Sequence, residues 1–559
     1  VIKMSEPCTQ DNRPITRIEK FLQKLIILGY SWEEFEHKDS NTGMVYSDYI
    51  ATKGGTDDVV LLIDEHTEQL TYPESIRINR AKNRLRVIGG ESIKYITGMF
   101  EDLQIEILDL SLFCPRHLKS ANRAFFGSTI GHIEFGSLDT SNITTMAEMF
   151  CGLKTEEIDL SKFDTGKVNN MSKMFLDSKI SKITFGDIDT HNVTDMSKMF
   201  DGCRRLKKLD LSKFNTSNVV RMNNMFCGCT GLTELDISSF DTHKVTDMSE
   251  MFSYLKLSKL KFGDIDTSNV TNMRNMFFSS EIDDICFDRF NTSKVSDMSS
   301  MFRRFKTKNL NLASFDTSNV TNMQDMFSFS CIEFINLRYF DTSKVINMEG
   351  MFLSCRTSVL NLSKFDTHNV ITMKEMFSQC DANIINMSGL NTNKVTDMSK
   401  MFSKCIVKRL DVSMLHTGNV VDMYAMFSRC EADKIDISNW DTHNVNDMEL
   451  MFYGCKAKEI IVGKLDISNV TSVKNMFKEC QTEELNLDGL TKSESLKDAS
   501  GMFVRCTAKK IKLNNFRLGA NVKTETPVTC EGMFNWCAAD VEAACPVIWE
   551  RLREDRKEL

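Results

Sequence analysis

Ten cysteines, Cys203, Cys229, Cys355, Cys380, Cys405, Cys430, Cys455, Cys480, Cys506 and Cys537, share one position: each follows by four residues the methionine of a recurring Met-Phe dipeptide. Thiols in such a file can ligate a metal, pair as disulfides or stay reduced in a core. A zinc site needs four ligands converging tetrahedrally, which a linear file does not supply. Disulfides between successive members have a plausible Cα spacing, but parallel side chains hold the Cβ atoms about 5 Å apart, beyond the usual range of about 3.5–4.5 Å. The pattern favours buried free thiols, then disulfides at some positions, then metal; Cys227 and Cys229 beside Cys203 are the best-placed exception. With 18 cysteines and 34 methionines, the thiol reading points to a reducing or oxygen-poor setting.

Other candidates for chemistry are weaker. His191, His243, His368 and His443 stand in an Asp-Thr-His turn where sister segments carry serine, which argues for a turn role over catalysis. Cys114 and His117 are the one close Cys/His pair, and no third group nearby orients them. The Asp/Thr turns lack the converging oxygens and glycine of a calcium loop, and no phosphate-cradling glycine motif occurs. No catalytic residue, metal ligand or cofactor is expected.

What positions these residues is a repeat, and a fixed period changes the meaning of every motif. Met-Phe recurs seventeen times from Met99 to Met533, with Ala124-Phe125 filling the one vacancy; the step is 25, with three of 26 and a last one of 31. One unit, Met351 to Phe377, holds two periodicities. Leu360-Asn361-Leu362 alternates apolar and polar, as do Leu209-Asp210-Leu211, Leu310-Asn311-Leu312 and Ile435-Asp436-Ile437, which predicts a short strand with one buried face. Val370, Met373, Met376 and Phe377 then recur at steps of three, three and one, which predicts a short helix. Asp366 and Thr367 before it offer side-chain oxygens to backbone N–H groups in a turn. Neither element can bury enough surface alone, so about eighteen units must stack like on like. The predicted fold is an α/β repeat solenoid, a leucine-rich-repeat-like arc with a parallel sheet on its concave face and short helices on its convex face.

The unit Phe-Asp-Thr-Ser-Asn-Val-Thr-x-Met-x-x-Met-Phe, read from Phe315 to Phe327 and extended to Cys380 in the unit that starts at Phe365, resembles the 25-residue repeat of BspA-like leucine-rich-repeat surface proteins. The resemblance covers about residues 92 to 537. It implies a solenoid displayed on a microbial surface, or secreted, for adhesion or host-protein binding.

Although 559 residues suggest several domains, proline falls only at Pro7, Pro14, Pro73, Pro115, Pro527 and Pro546, and no Gly/Ser linker interrupts the repeats. The expected division is an N-terminal cap over 1–91, one solenoid over 92–537 and a C-terminal capping helix over 538–559. In the first cap Arg17–Leu28 has helical spacing, Val59–Asp64 reads as a buried strand and Leu85–Ile88 as an irregular first rung; in the last, Val541, Ala544, Ile548 and Leu552 share a helical face. A net charge of -8 and a pI near 5.8 argue against a nucleic-acid partner. No apolar run reaches the length of a membrane span, and the first thirty residues lack an export pattern. That lack, with the thiols, supports the alternative location, the cytoplasm, and the alternative role, an intracellular recognition or scaffold protein.

The outward strand positions are where a partner would be read. One row carries Asp210 and Asp236, then Asn311, Asn336, Asn361 and Asn386, whose amides can bond to one another along the stack. Two residues earlier a mostly charged row turns apolar at Phe334, Val359 and Ile384. Three such neighbours mark either a contact site or residues covered by a loop or a register shift. The reading is a non-catalytic protein- or glycan-binding solenoid. Its expected partner is a protein, extracellular or host-derived, with Phe334, Val359 and Ile384 as first candidates and Asp210 and Asp236 as second.

Overall fold

A 25-residue segment cannot satisfy its own backbone hydrogen-bonding groups, so its neighbours must. In a computed structural model, which describes residues 30–38, 45–53, 58–63, 84–490, 495–517 and 528–556, they do so at nearly every second residue. The chain divides into two compact units, Val1–Ile265 and Asp266–Leu559.

In the first unit an antiparallel hairpin, β1 (Tyr30–Lys38) and β2 (Val45–Lys53), pairs antiparallel with β3 (Asp58–Ile63). From β3 onward the pairing is parallel, through β4 (Arg84–Gly89) and β5 (Gln104–Phe113) to β6 (Thr129–Glu134). The strand expected over Val59–Asp64 is thus β3, with Val60 and Leu61 buried, and Leu85–Ile88 lies within β4. The helix expected over Arg17–Leu28 lies outside the described residues. Asp109 on β5, 1 % exposed, accepts hydrogen bonds from Arg84 (2.7 Å) and Arg86 (2.8 Å) and from the backbone and hydroxyl of Ser111, and these partners hold its carboxyl far below the usual range against the opposing effect of burial. Shorter parallel pairs follow, β7 (Glu157–Asp159) with β8 (Lys182–Thr184) and β9 (Glu234–Asp236) with β10 (Lys256–Lys261). Leu209–Leu211, read as a strand, forms none, though Leu211 is buried as the alternation requires.

The second unit repeats one rung. Its parallel strands run in chain order from β11 (Glu281–Asp284) through β12 (Lys306–Asn311), β13 (Cys331–Asn336), β14 (Arg356–Asn361), β15 (Asp381–Asn386), β16 (Ile406–Leu410) and β17 (Glu431–Asp436) to β18 (Lys456–Ile461). A further parallel set, β19 (Glu484–Asn486), β20 (Lys510–Leu513) and β21 (Asp540–Ala543), precedes helix α1 (Pro546–Asp555). In β14, Thr357 and Leu360 are buried while Ser358 and Val359 both face out, and the strand pairs in register with β15, Arg356 opposite Asp381 and Leu360 opposite Ile385. After the strand, buried Thr367 donates its hydroxyl to the carbonyl of Asn391 and accepts the N–H of the same residue, both at 2.8 Å, so one side chain ties two rungs. Thr317, Thr342, Thr417 and Thr442 donate in the same way, and Thr140, Thr165 and Thr190 do so in the first unit. The neighbouring aspartates close turns, as Asp366 does by accepting the N–H of His368.

The predicted helix over Val370–Phe377 is not there; α1 is the only α-helix among the described residues. The segment is a run of tight turns. Met376, Ser378 and Cys380 send their N–H groups back three residues, to Met373, Glu375 and Phe377, while the alternate N–H groups of Met373, Glu375, Phe377 and Gln379 leave the rung for the carbonyls of Asp397, Ser399, Met401 and Ser403 at 2.7–3.1 Å. An α-helix would send all of them to residue i−4. The chain achieves the alternation by placing Glu375 and Gln379 in the left-handed region, both at φ 56°. The same two positions are left-handed in rung after rung, at Lys400 and Lys404, Ala425 and Arg429, and Asn475 and Glu479, and glycine takes the first at Gly350, Gly501 and Gly532. Each such residue costs an L side chain about 1–2 kcal/mol, which the hydrogen bonds to the next rung offset at about 0.5–1.5 kcal/mol apiece.

Both conformations return side chains to one face every three residues, so the apolar set is buried as predicted: Val370, Met373, Met376 and Phe377 are all fully inside. Phe377 stacks on Phe352 and Phe402 with ring centroids 5.7 and 5.4 Å apart, part of a file from Phe277 to Phe534; a similar file joins Phe100 to Phe252 in the first unit. At the C-terminal end Val541, expected on a helix, lies in β21, and the helix starts at Pro546, where the ring presets the first turn. Ile548 and Leu552 are buried, and the N–H of Phe534, which in earlier rungs would reach the next rung's carbonyl, donates to Asp555 Oδ2 at 2.8 Å.

The turn run has a signature opposite in sign to a helix. Ser300 lies between Met298 and Met301 at φ 55°. Ser300→Gly should leave stability unchanged or raise it by up to about 1 kcal/mol, whereas Ser300→Val should lower it by about 1–2 kcal/mol. A loss in denaturant unfolding for the glycine variant would restore the helix. Phe377→Ala, which removes one ring from the stack, should cost about 3–5 kcal/mol, and a cost below about 1 kcal/mol would show that the ring is not core.

Candidate functional site

Because the turn runs and threonines fix the interior, what differs between rungs faces outward on the strands. On β13, β14 and β15 the outward residues Phe334, Val359 and Ile384 occupy one register row: Asn309 pairs with Phe334, Val359 with Ile384, and Ile384 with Arg409. Phe334 is 52 % and Val359 43 % exposed, and Ile384 is half-buried, so no loop or register shift covers them. Three exposed apolar side chains that the sequence reading missed lie nearby: Tyr339 in the turn after β13, Ile406 on β16 and Met414 in the turn after β16. Their signal is in the sequence, since most sister rungs have small, polar or charged residues at those positions.

Charge distribution sets this stretch apart. On β17 and β18 the cations are matched, Lys456 with Glu431, Lys458 with Asp433 and Lys434 with Glu459, at 2.6–3.6 Å, and in the turns after them only Lys464 is a cation without an ion pair among the described residues. On β13 to β16 and the turns after them, Arg338, Lys364, Lys408 and Arg409 are exposed and form no ion pair among the described residues. Arg338 instead lies over the Tyr339 ring, 5.4 Å from its centroid.

Asp210 and Asp236, the second candidates, belong to the first unit and are engaged in turns. Asp210 accepts the backbone N–H of Ser212 at 3.0 Å and its hydroxyl at 2.7 Å. Asp236 does the same with Ser238 and pairs with Lys261 at 3.0 Å, and these partners pull its carboxyl down to about 2. Their oxygens serve the fold. The asparagine row is also engaged: Asn336 donates to Asn311 at 3.0 Å and Asn386 to Asn361 at 3.2 Å, two separate amide pairs.

The histidines of the Asp-Thr-His turns bond the aspartate two residues back through Nδ1, at 2.6–2.8 Å for His191, His243, His368 and His443. All seventeen described cysteines are free thiols, and those from Cys355 to Cys537 in the file are buried. Burial pushes Cys430 and Cys480 up to about 12, so neither is a thiolate at neutral pH. Among the described residues no group of three or more His, Cys, Asp or Glu side chains is placed to hold a metal ion, and no helix is long and apolar enough to cross a membrane.

The family described as "Mycoplasma protein of unknown function, DUF285" matches the chain in seven overlapping stretches, residues 119–182, 177–284, 255–362, 279–387, 328–434, 382–490 and 421–539. No curated protein matches the chain, and no solved structure does.

Alkylation of the native, unreduced protein followed by mass spectrometry should label the exposed Cys114 and Cys286 and spare Cys355, Cys380, Cys405, Cys430, Cys455 and Cys480 until denaturant is added. Quantitative disulfides between successive rungs would refute the buried-thiol assignment.

Proposed function

The chain belongs to this Mycoplasma repeat family of unknown function, DUF285, and from that premise we propose that it is a non-catalytic binding solenoid whose protein partner docks on the outward row Phe334, Val359 and Ile384. The observation that supports this most directly is the exposure of two large apolar side chains, Phe334 and Val359, on strands held in register by the stack. Such side chains gain from losing water, and anchors already fixed by their scaffold lose little entropy on binding. Affinity at protein interfaces concentrates in a few apolar or aromatic anchors within a polar surround, which is the arrangement here. Glycan binding is less favoured, because the row offers no ring of hydrogen-bonding side chains.

The likeness of the repeat to surface proteins supports a role in adhesion or host interaction, with an extracellular partner. The seventeen free thiols favour a second reading, an intracellular recognition or scaffold protein. Protease treatment of intact source cells separates the two: loss of the full-length band supports surface display, and survival until lysis supports the second reading.

Against a panel of immobilised extracellular-matrix and serum proteins, binding by the full chain should fall at least about tenfold in Val359→Glu, with the melting temperature within about 2 °C of the parent. Unchanged binding would remove this row from the site, and unfolding of the variant would place Val359 in the core.

A further inference from the structure

The unmatched cations around the row carry the reading further, to the chemistry of the partner. We infer that the face formed by β13 to β16 receives an acidic amphipathic helix, laid along the row so that its apolar residues meet Phe334, Val359 and Ile384 and its carboxylates meet Arg338, Lys364, Lys408 and Arg409. This rests on the proposal that the apolar row is the docking site.

Two observations select this occupant. The first is charge. Over β12 to β16 and the turns that follow them, residues 306–314, 331–339, 356–364, 381–389 and 406–414, the chain carries seven lysines and arginines against three carboxylates, in a protein whose net charge is -8. Two of the seven are matched, Lys306 with Glu281 at 2.8 Å and Arg356 with Asp381 at 3.6 Å. The equivalent segments of β17 and β18, residues 431–439 and 456–464, carry four of each sign. Leaving cations unmatched beside exposed apolar groups confers nothing on the fold, but it attracts and orients a partner of opposite sign.

The second observation is spacing. Neighbouring strands lie about 4.8 Å apart, so three anchors on successive strands span about 10 Å. A helix rising 1.5 Å per residue presents positions i, i+3 or i+4, and i+7 over about the same distance. An extended peptide running across the strands would place alternate side chains about 6.7 Å apart and fall out of step by the third anchor. A polyanion such as RNA or heparin meets the cations but leaves the apolar row without partners, and the carboxylates of Glu333 and Asp411 interrupt the basic surface it would need.

The test is selection of a displayed library of random sixteen-residue peptides on the full-length protein, with Val359→Glu and the double variant Lys408→Glu/Arg409→Glu as comparison targets. Melting temperatures would confirm that both variants are folded, and Val359→Ser with Arg409→Ala would replace either that is not. Enriched peptides should carry Asp and Glu together with Leu, Phe or Trp at three- and four-residue spacing. As synthetic peptides they should bind at least about tenfold more weakly to both variants and weaken as salt rises. Apolar peptides without acidic bias, lost on Val359→Glu but retained by the double variant, would overturn the acidic-helix inference and leave the docking row standing. Peptides that bind Val359→Glu as well as the parent, or no enrichment over that variant, would overturn both. Tighter binding of a heparin oligosaccharide or a short RNA than of any selected peptide would overturn the inference in favour of a polyanion.

Discussion

Everything else in the structure depends on where alternate N–H groups of the turn run are sent. Met373, Glu375, Phe377 and Gln379 each direct theirs to the following rung, and the bonds close only if that rung repeats the same conformation in register. This requirement fixes the period. It also places two residues of each rung in the left-handed region, and it sets successive phenylalanines face to face rather than edge to face. The buried threonines reinforce it, since a hydroxyl that both donates to and accepts from one residue of the next rung is satisfied only by correct stacking.

A scaffold so constrained inside leaves the outward rows free to vary, but not freely. Side chains at equivalent positions stand about 4.8 Å apart along a row, close enough for like charges to repel and opposite ones to pair. β17 and β18 resolve this by alternating sign, and Asn336 and Asn386 resolve it by amide pairing. On β13 to β16 and the turns after them Arg356 is matched by Asp381, but Arg338, Lys364, Lys408 and Arg409 form no ion pair among the described residues. These four cations share the stretch with the exposed apolar residues Phe334 and Val359.

Much of this was legible in the sequence, and the part that was not has a definite physical reason. The period, the buried set Val370, Met373, Met376 and Phe377, and the outward position of Phe334 and Val359 all follow from spacing alone. The helix did not follow, because a three-residue return of side chains is common to a helix and to a run of turns, and what separates them is a hydrogen bond to a residue 24 positions later. Gly350, Gly501 and Gly532 stood in the same column as Glu375 and hinted at a left-handed site, but the glutamates, lysines and asparagines elsewhere in that column concealed it. The engagement of Asp210 and Asp236, the second binding candidates, did not follow from the strand alternation, because their serine partners lie two residues later, beyond the alternating segment.

Asp555 shows how such a stack avoids a hazard of its own making. A last rung that ended on bare N–H groups would be a template, and any segment of the same repeat, from this chain or another, could add to it; growth of that kind has no built-in limit and ends in fibres. At Phe534 the position of the next carbonyl is taken by a carboxylate anchored on a helix, which accepts the bond but offers no rung for a further one to join. The carboxylate that ends the ladder at Phe534 thus also removes one N–H on which a further rung could have been templated.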